Sequence, residues 1–181
     1  RQSTSRMTIR TAAWMVLLTG NRQDPTRHAE WSEIDLEKGL WTVPPHKMKS
    51  KRAHISPLPR QLVDMLKALQ LISGRSRWVF PGDGSKNPVI SDVALNKVFK
   101  SFGYKGKMVA HGSRHTASTL LREHGWHKDF VEAQLAHKET GISGVYNMAS
   151  YLDQRIVMMQ WYADCLEALE NGHTKPPILQ T

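Results

Sequence analysis

Three short runs that read as strands lie between two helical patterns near the start of the chain, and this order limits the fold more than any other feature. The runs are residues 29–35 (AEWSEID), 40–43 (LWTV) and 53–57 (AHISP). Glu37, Lys38 and Gly39 supply the first turn, and Pro44 and Pro45 end the middle run because proline offers no ladder donor. HKMKSKR then leads to the third run, so a small three-stranded antiparallel sheet with a lysine-rich hairpin is predicted. Upstream, residues 12–18 (AAWMVLL) end at Thr19 and Gly20, as a buried helix from Met7 onward would. Downstream, Leu62, Met65, Leu66, Leu69 and Ile72 have the spacing of an amphipathic helix facing a core.

The rest of the chain reads as helices joined by turns. WVFPGDGSKNPVIS mixes an apolar run with turn signals, and Ser91 can cap a helix bearing Leu95, Val98, Phe99 and Phe102. Its GDGSK piece lacks the four-residue spacing between glycines that a phosphate-binding Walker loop needs. Helical spacing returns at 112–124 through Ala117, Leu120 and Leu121, with Gly125 as a stop, and at 129–136 through Phe130, Val131, Ala133 and Leu135. A last stripe over 151–170 carries Leu152, Ile156, Met159, Ala163 and Leu166. Strands grouped at one place among helices give a mixed α+β fold, mainly α-helical. A chain of 181 residues is long enough for one domain with a real core.

Charge narrows the partner. The chain carries 25 Lys+Arg against 16 Asp+Glu, a formal net charge of +9, so a polyanion is expected. No run of 18 apolar residues and no signal-peptide layout is present, which favours DNA over a membrane surface. Cys165 is the only cysteine, so no intramolecular disulfide and no thiolate-built zinc site can form. A reducing, intracellular setting fits.

The chemistry-bearing residues cluster late. His111 and Arg114 lie three apart at the start of a helical pattern, so both can point at one ligand, and an imidazole beside a guanidinium suits a phosphate. The next helical pattern delivers His137 at its end, and Tyr146 follows nine positions later across a loop containing Gly141 and Gly144. A phenol loses its proton only near pKa ~10. It becomes a nucleophile where cations stabilise charge on the attacked phosphate and a base accepts the proton. His111 and His115 are four apart, but HGSRH lacks the glutamate of H-E-x-x-H and no third ligand is evident, so zinc is not expected.

HGSRHT, then LAH, then Tyr146 resemble the second half of the tyrosine recombinase (phage integrase) signature, closest to integrases of satellite phages and genomic islands. The resemblance implies that Arg22, in TGNR after the first buried helix, and Arg114 clamp a phosphodiester, with Tyr146 as nucleophile. It further implies Lys49 as general acid for the departing 5′-oxygen, His111 as an aid to proton transfer and His137 as a phosphate hydrogen-bond donor, while Lys47, Lys51 and Arg52 around Lys49 bind DNA. The match departs at Pro25, where the family usually carries an acid, and Asp24 is expected to substitute or the support to be lost.

By the same resemblance, residues 1–6 are a linker remnant, 7–170 the catalytic domain and 171–181 an irregular tail, with amino-terminal DNA-binding domains missing. The implied reaction is site-specific recombination through a 3′-phosphotyrosyl intermediate. It exchanges one phosphodiester for another, so neither ATP, a metal nor another cofactor is demanded. Double-stranded attachment-site DNA is the implied partner, bound by a homo-oligomer, four protomers on paired DNA exchanging the C-terminal helix, with accessory DNA-bending proteins. Two alternatives stay open at this point: a type IB topoisomerase that nicks and reseals one strand, and a DNA-binding module that has lost catalysis.

Overall fold

The computed structural model describes residues 2–84, 87–101, 112–136 and 151–173. The described residues are mostly helical, with a three-stranded antiparallel sheet at one side. Helix α1 (Gln2–Thr19) starts five residues earlier than the apolar pattern predicts, because the polar residues ahead of Met7 continue the helix. It is the hub, packing against α3 (Arg60–Ser73), α4 (Asp92–Phe99), α5 (Gly112–Glu123) and α7 (Leu152–Glu170). Ala12, Met15, Val16 and Leu18 are buried, as the all-apolar run requires.

The sheet runs β1 (Ile34–Asp35), β2 (Leu40–Val43), β3 (His54–Pro57), with Trp41 opposite Ser56 and Val43 opposite His54. The first strand is shorter than predicted, since residues 31–33 form a 3-10 turn fixed by a reciprocal Glu30–Glu33 capping box. Strand β2 alternates as expected, Trp41 and Val43 inward and Thr42 outward. On β3 the inward residues are instead the polar His54 and Ser56. The residues around GDGSKNP, read as turns, include a second antiparallel pair, β4 (Pro81–Gly84) with β5 (Asn87–Val89). Ser91 caps α4, its hydroxyl accepting from the Ala94 amide at 3.1 Å.

Two apolar clusters make the core. One lies between α1, the sheet, α3 and α4; the other gathers Ala117, Leu121, Val131, Leu135, Met158, Met159 and Tyr162 from α5, α6 (Lys128–Gln134) with the residue after it, and α7, and the partly buried Leu166 packs on both. Of the predicted stripe on α7, Met159 and Ala163 are buried and Leu166 packs on the core, while Ile156 is 40% exposed; Arg155, Met158 and Tyr162 also face inward. On α3 the inward face is Leu62, Val63, Leu66 and Leu69, whereas Ile72 is 45% exposed at the last turn. Among the described residues no helix is long and apolar enough to cross a membrane.

Candidate active site

Arg114 ties the motif segments together. It lies in the first turn of α5 and is 94% removed from solvent, since 6% of its surface remains exposed. Its Nη1 donates to the Gly20 carbonyl at 2.7 Å and its Nη2 to the Leu135 carbonyl at 2.5 Å. Gly20 is two residues before Arg22, and Leu135 two residues before His137. One guanidinium therefore draws three separate sequence motifs to one place. Gly20 ends α1 at φ +64°, a conformation that favours glycine, and a Cβ there would stand 3.0 Å from Leu135 Cδ2, which would have to give way.

The site is electropositive by construction. Burial, and next the like charge of Arg22, pull the Arg114 guanidinium down to about 10, with Glu132 opposing. It remains charged at neutral pH. Arg22 is half-buried at the N-cap of α2 (Gln23–Arg27), so two guanidinium groups feel one another at the mouth of the site. Such a pair favours an anion between them, and a planar fork matches two phosphate oxygens. Asp24 does not replace the missing family acid at Arg22: its carboxylate turns to Arg27 at 3.2 Å and His28 at 3.6 Å, while Pro25 is buried.

Below the arginines lies a buried polar floor that the sequence reading missed. Asn21 Nδ2 donates to Ser56 Oγ at 2.7 Å, and Gln134 Nε2 to the Thr19 carbonyl at 2.8 Å. Arg155, fully buried on α7, donates from Nε and Nη2 to Gln134 Oε1 at 3.1 and 3.0 Å and reaches the Ile55 carbonyl. The Arg22 loop, β3, α6 and α7 are thus fastened to one another by side chains with nearly no exposure. An arginine on the inward face of an otherwise apolar helix is the one signal in the sequence for this network.

His54 sits on the same floor. Its two ring nitrogens find no hydrogen-bond partner of ordinary geometry among the described residues. Burial pushes the imidazole down to about 3, the charges of Arg155, Arg114 and Arg22 add to that, and the Gln134 backbone opposes it. A histidine whose folded pKa lies below its unfolded value takes up protons more readily when unfolded. Proton linkage at His54 therefore costs the folded state nothing above pH 6.5, and stability is lost as pH falls from 6.5 toward about 3, by up to about 1.4 kcal/mol per pH unit. His54→Gln should flatten the slope of urea midpoints between pH 6.5 and 5, above the range where ordinary carboxylates titrate. Parallel slopes in both proteins would show that His54 does not set it.

The β2–β3 hairpin carries the candidate lysine. Met48 is buried at its base, and the Lys51 amide donates to the Met48 carbonyl at 3.0 Å, closing a four-residue turn with the exposed Lys49 and with Ser50 at its centre. Lys51 and Arg52 are exposed on the same hairpin, where a phosphate could meet them. Lys47, expected to meet DNA, instead turns into the protein. Its side chain is only 8% exposed, and Nζ donates to the His28 carbonyl at 2.6 Å, to Glu30 Oε1 at 3.0 Å and to Glu33 Oε1. Three acceptors occupy the three donors of the ammonium, leaving none for a phosphate.

His111, His137 and Tyr146 lie outside the described residues. Tyr151 and Tyr162 are the alternative phenols among the described residues, and Cys165 is the one thiol. Tyr162 is fully buried, and burial raises its phenol well above the ordinary range. Burial, with Asp164 adding to it, pushes the Cys165 thiol up to about 11. Tyr151 is 43% exposed and packs its ring 5.1 Å from Phe130. No group of three or more His, Cys, Asp or Glu suited to a metal ion occurs among the described residues.

Comparison with known proteins places these features in context. The sequence profile of the Phage integrase family matches residues 1–152. Prophage integrase IntZ of Escherichia coli K12 is 42% identical over 169 residues, covering 93% of this chain and 42% of that protein. The integrase of Shigella phage Sf6 is 38% identical over 151 residues, covering 82% of this chain and 39% of that protein. The chain thus spans about two fifths of the length of these curated relatives. Among solved structures, the integrase from mycobacterium phage Brujita superposes with a TM-score of 0.63 at 16% identity, over 85% of this chain and 51% of that one. The XerH site-specific recombinase, bound to its difH substrate before cleavage, gives 0.61 at 17% identity, over 83% and 46%. At these identities the two structures speak to the fold alone.

Proposed function

Because this chain belongs to the phage integrase family, we propose that it is the strand-cutting part of a tyrosine recombinase that integrates and excises a mobile element. The Tyr146 oxygen attacks the scissile phosphorus, an O–P bond forms and the bond to the 5′-oxygen breaks. A base takes the phenolic proton, a role for His111, and Lys49 gives one to the departing 5′-oxygen. His137 holds the phosphate. Attack by another strand's 5′-hydroxyl reverses the step and joins new partners, so the phosphodiester's energy is conserved throughout.

The observation that carries this reading is the Arg114 anchorage. A buried guanidinium fixed by two backbone carbonyls, with Arg22 close enough to lower its pKa, is a preorganised cationic clamp. It can neutralise charge on a pentavalent phosphorus with no reorganisation at the moment of reaction. Duplex DNA is the partner consistent with a net charge of +9 and with the exposed Lys49, Lys51 and Arg52. Four copies on paired DNA would bury the apolar side chains α7 exposes, Ile156 at 40% and Val157 at 58%.

The test is a nicked suicide duplex carrying the junction of the element that encodes the chain, from which the short cleaved strand diffuses away. A denaturing gel should show a covalent protein–DNA adduct, and mass spectrometry should place it on Tyr146. An adduct on another residue, or tight binding with no adduct, would overturn the assignment. Relaxation of supercoils without recombinant product would point to topoisomerase chemistry instead.

A further inference from the structure

We infer that Lys47, with Glu30 and Glu33, is a positioning clamp that sets the Lys49 hairpin for proton delivery to the leaving oxygen; the inference rests on the general-acid reading of Lys49. The hairpin leaves the sheet at Val43 and returns at His54, passing through a 3-10 turn at Pro45–Lys47 and the turn that carries Lys49. It is held from below at two consecutive positions. Lys47 Nζ sits between the carboxylates of Glu30 and Glu33 and the His28 carbonyl, and Met48 enters the apolar core. Lys49 is the next residue, at the first central position of the turn closed by the Lys51 amide.

The carboxylates are themselves fixed. Glu30 receives two hydrogen bonds from Arg77, Nε to Oε2 at 2.8 Å and Nη2 to Oε1 at 2.9 Å, and Trp78 lies beneath both cations, 4.9 Å from the Arg77 guanidinium carbon and 5.6 Å from Lys47 Nζ. Glu33 Oε2 accepts from Trp41 Nε1 and from the Glu30 amide, each at 3.2 Å. The clamp is neutral, two cations with two carboxylates, and the Arg77 and Lys47 hydrogen bonds hold Glu30 down to about 2, so it stays ionised at any working pH. Strand β2, the exit of α2 and the loop before β4 therefore all fix the root of one turn. A structure that only needed a closed hairpin could do so with apolar contacts, because a buried ion pair rarely adds stability over well-packed hydrophobes. What a multiply hydrogen-bonded lysine adds is direction, and a general acid depends on direction, since a misplacement of about 1 Å can cost ~100-fold.

The test separates proton delivery from everything else by changing the leaving atom. Replacing the 5′-bridging oxygen of the scissile phosphate by sulfur gives a thiolate that departs without a proton. Lys47→Met is compared with E33Q/K47M, which removes the charge from one carboxylate as well so that none is left buried without a partner. Each variant recombinase is assayed in single turnover on oxygen and sulfur suicide duplexes, with duplex affinity measured alongside. The expected result is roughly 10- to 100-fold slower cleavage of the oxygen substrate, unchanged affinity, and wild-type rate on sulfur. Equal slowing on both substrates would make Lys47 merely structural, and no slowing on either would remove it from the reaction; either overturns the clamp. Lys47→Arg, which keeps a multidentate cation, should recover part of the oxygen rate. Lys49→Met is the separate control: a defect that persists on sulfur defeats Lys49 as general acid, while the Lys47 pair of rates still judges whether the hairpin's setting serves proton delivery.

Discussion

Tyr146→Phe should abolish the covalent adduct and leave DNA affinity unchanged. The substitution removes a single oxygen, the atom proposed to form the new bond to phosphorus, so no residual pathway through the same residue exists. The cationic side chains proposed to hold the phosphate are untouched: the Arg114 anchorage to Gly20 and Leu135 involves no phenol, nor does the turn that carries Lys49. Affinity for DNA is set by neutralised phosphates and so does not depend on the missing hydroxyl. Of the described rivals, Tyr162 is buried with its phenol disfavoured as an anion and Cys165 is a buried thiol pushed up to about 11, which leaves the 43% exposed Tyr151 as the residue an adduct in the variant would point to first. Adduct formation on the suicide duplex, read on a denaturing gel beside a binding isotherm, checks both halves. An adduct surviving in the variant would move the nucleophile to another residue, and a parallel loss of binding would mean that the phenol helps to hold DNA.

Much of this arrangement was legible in the sequence, and the rest was hidden for physical reasons. LWTV at 40–43 was readable because period-two alternation of large apolar residues has one interpretation in four residues, and the α3 face because its leucines repeat at helical spacing. Arg22, Arg114 and Lys49 could be picked out from the short motifs around them. What could not be read is which polar residues turn inward. Ser56 occupies the inward face of β3 because it meets Asn21 and Gln134 rather than hydrocarbon, with His54 beside it, and only the tertiary fold brings those partners from 35 and 78 residues away. The inward Arg155 beside the expected α7 stripe was hidden in the same way: an inward arginine is incompatible with an apolar face unless carbonyl and amide acceptors wait for it, and here Gln134 and Ile55 supply them.

Lys47 shows the opposite error. Four cations in seven residues look like one solvated basic turn, yet one of them points into the protein, because Glu30 and Glu33, 17 and 14 positions earlier, form its receptor. Composition reports the charge of a segment and says nothing of which charges are already neutralised. The exposed positive charge of this hairpin is therefore smaller than its sequence suggests, and it is concentrated at Lys49, Lys51 and Arg52.

Arg114→Ala and Arg22→Ala should both slow cleavage by about 100-fold or more, the magnitude of losing one preorganised donor to a transition-state oxygen, yet move stability in opposite directions. Arg114 is structural as well as chemical: without its guanidinium the buried Gly20 and Leu135 carbonyls lose their donor, a cost of about 1–3 kcal/mol each where no water replaces it. The Arg22 loop and the segment leading to His137 then lose their common tether, so melting temperature and rate fall together. Arg22 is only half-buried, and its charge is what lowers the Arg114 pKa after burial itself. Removing it relieves a like-charge repulsion in a protein without DNA, so Arg22→Ala should melt at or above the wild-type temperature while losing the rate, the exchange of stability for function expected at a site that crowds like charges around an absent anion. Thermal melts without DNA, paired with single-turnover cleavage, check both. Arg22→Ala melting well below the wild type would mean that this arginine is part of the scaffold and that the two guanidinium groups are not held in opposition for a phosphate.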